Sequence, residues 1–221
     1  MAMSPVAASS AAVPEELWGC WQRQWIEYAD DTRDDTSLVV WLQLPSLMAD
    51  VRLTAAAMAL AGVGRAGFAD CSFDEVHLLA GSDSSAGATT CTPFERGADG
   101  VRRATAEWSY TVGFQVVSAF PEPGLLELHG DGTVMIERAP SGAYVEEWHL
   151  LPGTRSPLAQ TPTADGATWY RAGNVGVLVH DQRHAGAPLE CEFSFARQVG
   201  DDFIVEASTL PWRAGAQVAV G

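Results

Sequence analysis

Residues 18–28 read Trp18-Gly-Cys-Trp-Gln-Arg-Gln-Trp-Ile-Glu-Tyr28. From Trp21 onward, alternation with a period of two puts Trp21, Arg23, Trp25 and Glu27 on one face of a strand and Gln22, Gln24, Ile26 and Tyr28 on the other. Trp21 is expected to mark the inward face. An acidic loop, residues 29–36, leads into Ser37-Leu-Val-Val-Trp-Leu-Gln-Leu44, whose β-branched and aromatic content favours a second strand, joined to the first most simply as a hairpin. Pro45-Ser46 end that strand, and residues 47–53 form a short third one.

The same signals recur over residues 104–120, 125–129, 133–138, 143–151, 168–171, 175–180, 190–199 and 203–208. Turn residues separate them at Gly130-Asp-Gly132, Pro140-Ser-Gly142, Gly173-Asn174 and Gly200-Asp-Asp202. Short strands joined by tight turns describe a meander, and closing it removes edges that would invite aggregation. The expected fold is all-β, an antiparallel up-and-down barrel of about eight to ten strands. A β-sandwich competes, because periodicity does not distinguish a closed sheet from two stacked ones. Thr54 as an N-cap before Ala-Ala-Ala-Met-Ala-Leu-Ala predicts a helix, and residues 63–102 include the least patterned part of the chain. Residues 54–102 are therefore read as a helix and loop insertion over the side or mouth of one domain, 18–221, with residues 1–17 as a flexible tail.

Gly19-x-Trp21 at the start of the first strand and Arg213 just past the last resemble the pair by which lipocalin-like (calycin) barrels close, with guanidinium stacked on indole. The resemblance implies a calycin-like barrel whose interior encloses a small molecule, and it implies that Trp21 and Arg213 meet at the closed end. Residues 41–52 also resemble a stretch of uncharacterised bacterial proteins of similar size, a likeness that implies no activity.

Acids outnumber bases 28 to 13, a net charge of -15. No basic stripe is available to displace phosphate counterions, so neither nucleic acid nor a membrane surface is an expected partner. The opening residues lack the basic start and apolar run of a signal peptide, and no stretch is apolar for long enough to span a bilayer, so a cytoplasmic protein is expected. Cys20, Cys71, Cys91 and Cys191 form no C-x-x-C pair and are expected as free thiols.

Asp30-Asp-Thr-Arg-Asp-Asp35 matches the D-D-x-x-D string of magnesium sites, but it joins two strands rather than lining a helix face, and a solvated acidic turn is the simpler reading. His180 and His184 have the i, i+4 spacing of zinc helices, yet Val175–Val179 read as strand. Nitrobindin-like calycins hold haem through a barrel histidine, which would single out His180, but nothing else in the sequence supports haem. No metal and no cofactor are expected.

Tyr144, Glu146 and Trp148 share one face of the 143–151 strand, and Val145, Glu147 and His149 share the other. Trp148, the bulkiest apolar group there, is expected to turn inward and to take Glu146 with it. A carboxyl among indoles loses solvation and becomes an acid or base near neutral pH; the structural alternative is a pair with Arg23. The candidate catalytic residues are therefore Glu146, Tyr144 and, if the facing is reversed, His149. The candidate ligand-binding residues are Arg23, Trp25, Trp41, Trp108, Tyr110 and Trp148, with Val112 and Phe114 continuing the face of Trp108 and Tyr110. Two functions fit: a cofactor-independent isomerase, cyclase or hydratase acting on a small, largely apolar organic molecule, or a non-catalytic carrier or sensor of one. A filled barrel serving as an interaction module is the third reading.

Overall fold

The computed structural model describes residues 13–62, 64–115, 122–183 and 191–219. Fifteen strands are named within them: β1 (Gly19–Tyr28), β2 (Arg33–Asp34), β3 (Leu38–Gln43), β4 (Leu47–Leu53), β5 (Ser85–Cys91), β6 (Glu95–Arg96), β7 (Arg102–Gly113), β8 (Gly124–His129), β9 (Val134–Arg138), β10 (Tyr144–Leu150), β11 (Leu158–Pro162), β12 (Thr168–Ala172), β13 (Val175–Asp181), β14 (Cys191–Val199) and β15 (Asp202–Ser208). β1, β3, β4, β5, β7, β8, β9 and β10 pair in that order, and β10 pairs back onto β1, closing an eight-stranded antiparallel up-and-down barrel. β2 and β6 extend β1 and β7 locally.

The closed barrel is the all-β architecture expected from the alternation, but it uses only the strands up to residue 150. β11 to β15 form a separate five-stranded antiparallel meander. Once β10 has paired with β1, the later strands find no free barrel edge, so they must bury their apolar face elsewhere. They bury it against the outside of the barrel: Tyr170, Val177, Phe193 and Phe195 pack on Cys20, Val40, Leu42, Val51 and Leu53 in one core. β3 and β4 are thus covered on both faces, which is why Leu38-Val-Val-Trp-Leu-Gln43 is nearly continuous in apolar residues.

A second core lies inside the barrel at one end, where Trp21, Val39, Leu126, Leu128 and Met135 meet Val13 and Leu17. Val13 and Leu17 were expected in a flexible tail; they are buried instead, and the Val13 N–H donates to Pro45 O at 2.7 Å. Their apolar side chains cap the barrel end; residues 1–12 lie outside the described residues.

The expected contact between Trp21 and Arg213 does not form. The Trp21 indole donates to Leu17 O at 2.8 Å, and Arg213, which follows β15 of the second sheet, donates to Glu192 at 2.7 Å. The arginine that ties this end together is Arg155, just past the last barrel strand. Its guanidinium donates to the carbonyls of Glu15 (3.0 Å), Glu16 (3.2 Å) and Gly132 (3.1 Å).

The insertion is shorter than 54–102. Thr54 caps α1 (Ala55–Met58), and Ser72 with Glu75 forms a capping box on α2 (Phe73–Leu79). The chain then re-enters the barrel at β5, whose small residues Ser85-Ala-Gly-Ala-Thr-Thr gave little strand signal.

Candidate functional site

The other end of the barrel is hollow. A cavity of about 610 Å³ has Trp41, Met48, Trp108 and Trp148 along its apolar side, Asp50, Arg52, Glu137 and Glu146 among its polar groups, and the partly exposed Tyr28 and Tyr110 at its edge. Trp41 packs edge to face against both Trp108 and Trp148, with ring centroids 5.9 and 6.2 Å apart. Gly124 on β8 permits the close approach of Trp108, since a Cβ there would lie 2.5 Å from its Cη2.

The β10 strand is regular, so Glu146 and Trp148 turn inward together with Tyr144, all three lining the cavity. Glu147 and His149 face outward, where the imidazole lies 2.8 Å from the Glu147 carboxylate. His149 is therefore placed away from the cavity. Glu146 is 2% exposed and accepts from Arg23 Nη1 at 2.9 Å, while Arg23 Nη2 donates to Asp34 at 2.9 Å. Asp34 belongs to the acidic 30–35 string. There it also accepts from the backbone of Thr36 and Ser37, and these bonds, working against partial burial, hold it at about 2.

Two bulges among the described barrel strands break the alternation expected from the sequence. In β1 the register against β10 shifts between Arg23, opposite Trp148, and Trp25, opposite Glu147. Ile26 and Tyr28 consequently enter the cavity wall, and Trp25 turns outward, where Arg33 covers its ring at 4.4 Å. Between β5 and β7, Ala86 pairs with Val112 but Gly87 with Tyr110, leaving Thr111 as the extra residue. A Cβ on Gly87 would meet Ser109 O at 1.9 Å, so this close backbone approach requires glycine. Beyond the bulge, Val112 and Phe114 pack into the core beneath the second sheet, and Thr111, Gly113 and Gln115 line the cavity in their place.

Glu137 was not singled out by sequence reasoning. It sits on β9 directly opposite Glu146, is 5% exposed, and accepts from Tyr144 Oη at 3.1 Å. Burial pushes its carboxyl up to about 8, and the neighbouring Glu146 adds to the rise against the pull of Arg52 and the Tyr144 hydrogen bond. The Trp148 indole N–H also favours the carboxylate, but it stays outside hydrogen-bond geometry. Burial likewise raises Tyr144, helped by Glu137, and raises Tyr110 to about 12, so both phenols stay protonated and can donate hydrogen bonds at neutral pH.

On β4, Asp50 accepts from Arg52 Nε at 2.5 Å and from the backbone and hydroxyl of Ser85 at 2.9 and 3.1 Å. The signal for these residues lay in the alternation of Met48, Asp50 and Arg52 with Ala49, Val51 and Leu53. The apolar set faces the second sheet, and the set containing the charges faces the cavity. His180 is the penultimate residue of β13, outside the barrel, with Nδ1 3.1 Å from Gln182 Nε2; His184 lies outside the described residues.

Fold and cavity together define a closed antiparallel β-barrel able to enclose a ligand, an architecture compatible with a calycin-like fold. No family model, no curated protein and no solved structure matches the chain. No helix among the described residues is long and apolar enough to cross a membrane.

Proposed function

We propose that the barrel binds a small, largely apolar organic molecule in the cavity beside Trp41, Trp108 and Trp148. The observation that carries this reading is the cavity itself, walled on its apolar side by Trp41, Met48, Trp108 and Trp148 and bordered by a few polar groups. A cavity of about 610 Å³ is of the size that encloses such molecules, and it weighs against a filled interaction module. Native mass spectrometry of the protein from its own host, before and after denaturation, tests the reading alongside titration with the apolar dye Nile red. A released small molecule or saturable dye binding, abolished by Trp108→Ala with Trp148→Ala, is expected. An empty barrel that also takes up no dye would overturn it.

A second reading, proton-transfer catalysis on that molecule by a cofactor-independent isomerase, cyclase or hydratase, is favoured by Glu137 rather than Glu146. Glu146 is committed to Arg23, whereas the Glu137 carboxyl, raised by burial and by the neighbouring Glu146, lies beside the Tyr144 hydroxyl. With a substrate in hand, Glu137→Gln should lower turnover about a hundredfold or more with binding largely kept. Full turnover in that variant would take the proton-transfer role away from Glu137, and a wild-type protein that binds without turnover would be a carrier or sensor.

A further inference from the structure

Resting on the reading of the barrel as a ligand cavity, we propose that its occupant is an organic cation, an apolar body carrying a protonated amine that pairs with Glu137. The lining residues include the carboxyl side chains of Asp50, Asp83, Glu122, Glu137 and Glu146 but a single arginine, Arg52. Arg52 is engaged by Asp50, and Arg23 divides its guanidinium between Glu146 and Asp34. Glu137 is left with no cation within ion-pair distance among the described residues, and its only hydrogen bond there comes from Tyr144. A buried carboxylate needs a compensating positive charge, and where none is supplied it keeps its proton. An ammonium group entering the cavity would supply that charge in surroundings where attraction is weakly screened.

The rest of the cavity suits such a ligand. Aromatic faces attract cations, and Trp41, Trp108 and Trp148 stand edge to face around the same space, with Tyr110 and Tyr144 beside it. A carboxylate ligand would face the same acidic lining, so the charge of the wall selects cations and rejects anions.

Binding is coupled to protons with a definite sign. The charged and titratable groups around Glu137 are Glu146 and Tyr144 on β10, Asp50 and Arg52 on β4, Tyr110 on β7, Arg23 on β1 and Asp83 just before β5. Below about pH 8 Glu137 holds a proton that the incoming cation must expel. Affinity for the amine should therefore rise with pH through the range in which free Glu137 loses its proton, with proton release on binding below that range.

The test is calorimetry with three ligands of one shape, 2-naphthylmethylamine, 2-naphthylmethanol and 2-naphthoic acid, in phosphate and in Tris. At pH 7.5 the amine should bind at least tenfold tighter than the alcohol, with the acid weakest, and the two buffers should report proton release. Glu137→Gln should abolish the amine preference and the release while alcohol binding persists. If the alcohol or the acid equals the amine, the cation assignment falls and the cavity stands. If none of the three nor Nile red binds, the cavity reading falls with it. The order amine over alcohol over acid in the wild-type protein decides the question even if the variant fails to fold.

Discussion

Glu137→Gln should change not only binding but the pH dependence of stability, and the sign follows from the barrel. A carboxyl at 4.5 in the unfolded chain and at about 8 in the folded one binds more protons when folded. Stability from this group is thus fully present below pH 4.5 and is lost as pH rises through 8. An upward displacement of this kind corresponds to on the order of several kcal/mol, most of which is lost between pH 5 and pH 8. Asp34, held near 2, is ionised throughout that window and contributes a constant. Gln cannot ionise, retains an acceptor for the Tyr144 hydroxyl, and has nearly the volume of the protonated acid. Urea denaturation at pH 5, 6.5 and 8 should find the variant within about 1 kcal/mol of wild type at pH 5 and progressively more stable than wild type as pH rises. Parallel pH profiles for the two proteins, or a wild type that gains on the variant between pH 5 and 8, would refute the assignment of a proton to Glu137.

Arg23→Met should cost about 3 to 5 kcal/mol by leaving the buried Glu146 carboxylate without its cation, and adding Glu146→Gln should recover much of that loss. A cost under about 1 kcal/mol in chemical denaturation would show that the pair is not what keeps Glu146 in place. Arg155→Ala should cost about 1 to 3 kcal/mol by freeing the carbonyls it gathers at the closed end. Hydrogen exchange should then speed up at the amides of residues 17–19 and not in the second sheet, whereas Arg213→Ala should do the reverse.

The existence of most strands was legible because the alternation and the Gly- and Pro-containing turns are strong local signals. Inward facing was legible only where a strand stayed regular. Tyr144, Glu146 and Trp148 follow the simple rule, but the bulges after Arg23 and at Thr111 each invert parity within one strand, sending Trp25, Val112 and Phe114 outward. A bulge leaves little trace in residue types, although Gly87 is a hint. Glu137 could have been found: the Pro140-Ser-Gly142 turn places it across from Glu146 by counting back along the hairpin. Partition of the strands between barrel and second sheet could not, because both use antiparallel meanders of the same period, and Arg213 was matched to Trp21 although the last barrel strand ends sixty residues earlier, beside Arg155.

The second sheet also explains why the barrel interior can hold so much charge. In a small barrel standing alone the inward face must supply the core, and burying Glu137, Glu146, Arg23 and Asp50 there would forfeit the apolar area that offsets chain entropy. Here much of the apolar burial is displaced to the outside of the barrel, where Val40, Leu42, Val51 and Leu53 meet Val177, Phe193 and Phe195, and a further share to the capped end around Trp21. The hollow end is thereby relieved of a structural duty. Its side chains are free to be polar, aromatic and incompletely paired, which are poor properties for a core and useful ones for a wall that meets a ligand. Conversely, the inward-facing cluster is held in place from behind: each of β1, β4 and β5 carries cavity-lining residues on one face and packs its opposite face against the second sheet. Rigidity of the cavity wall on that side therefore comes from a core that the ligand never touches, and truncations in that core should loosen ligand binding as well as the fold.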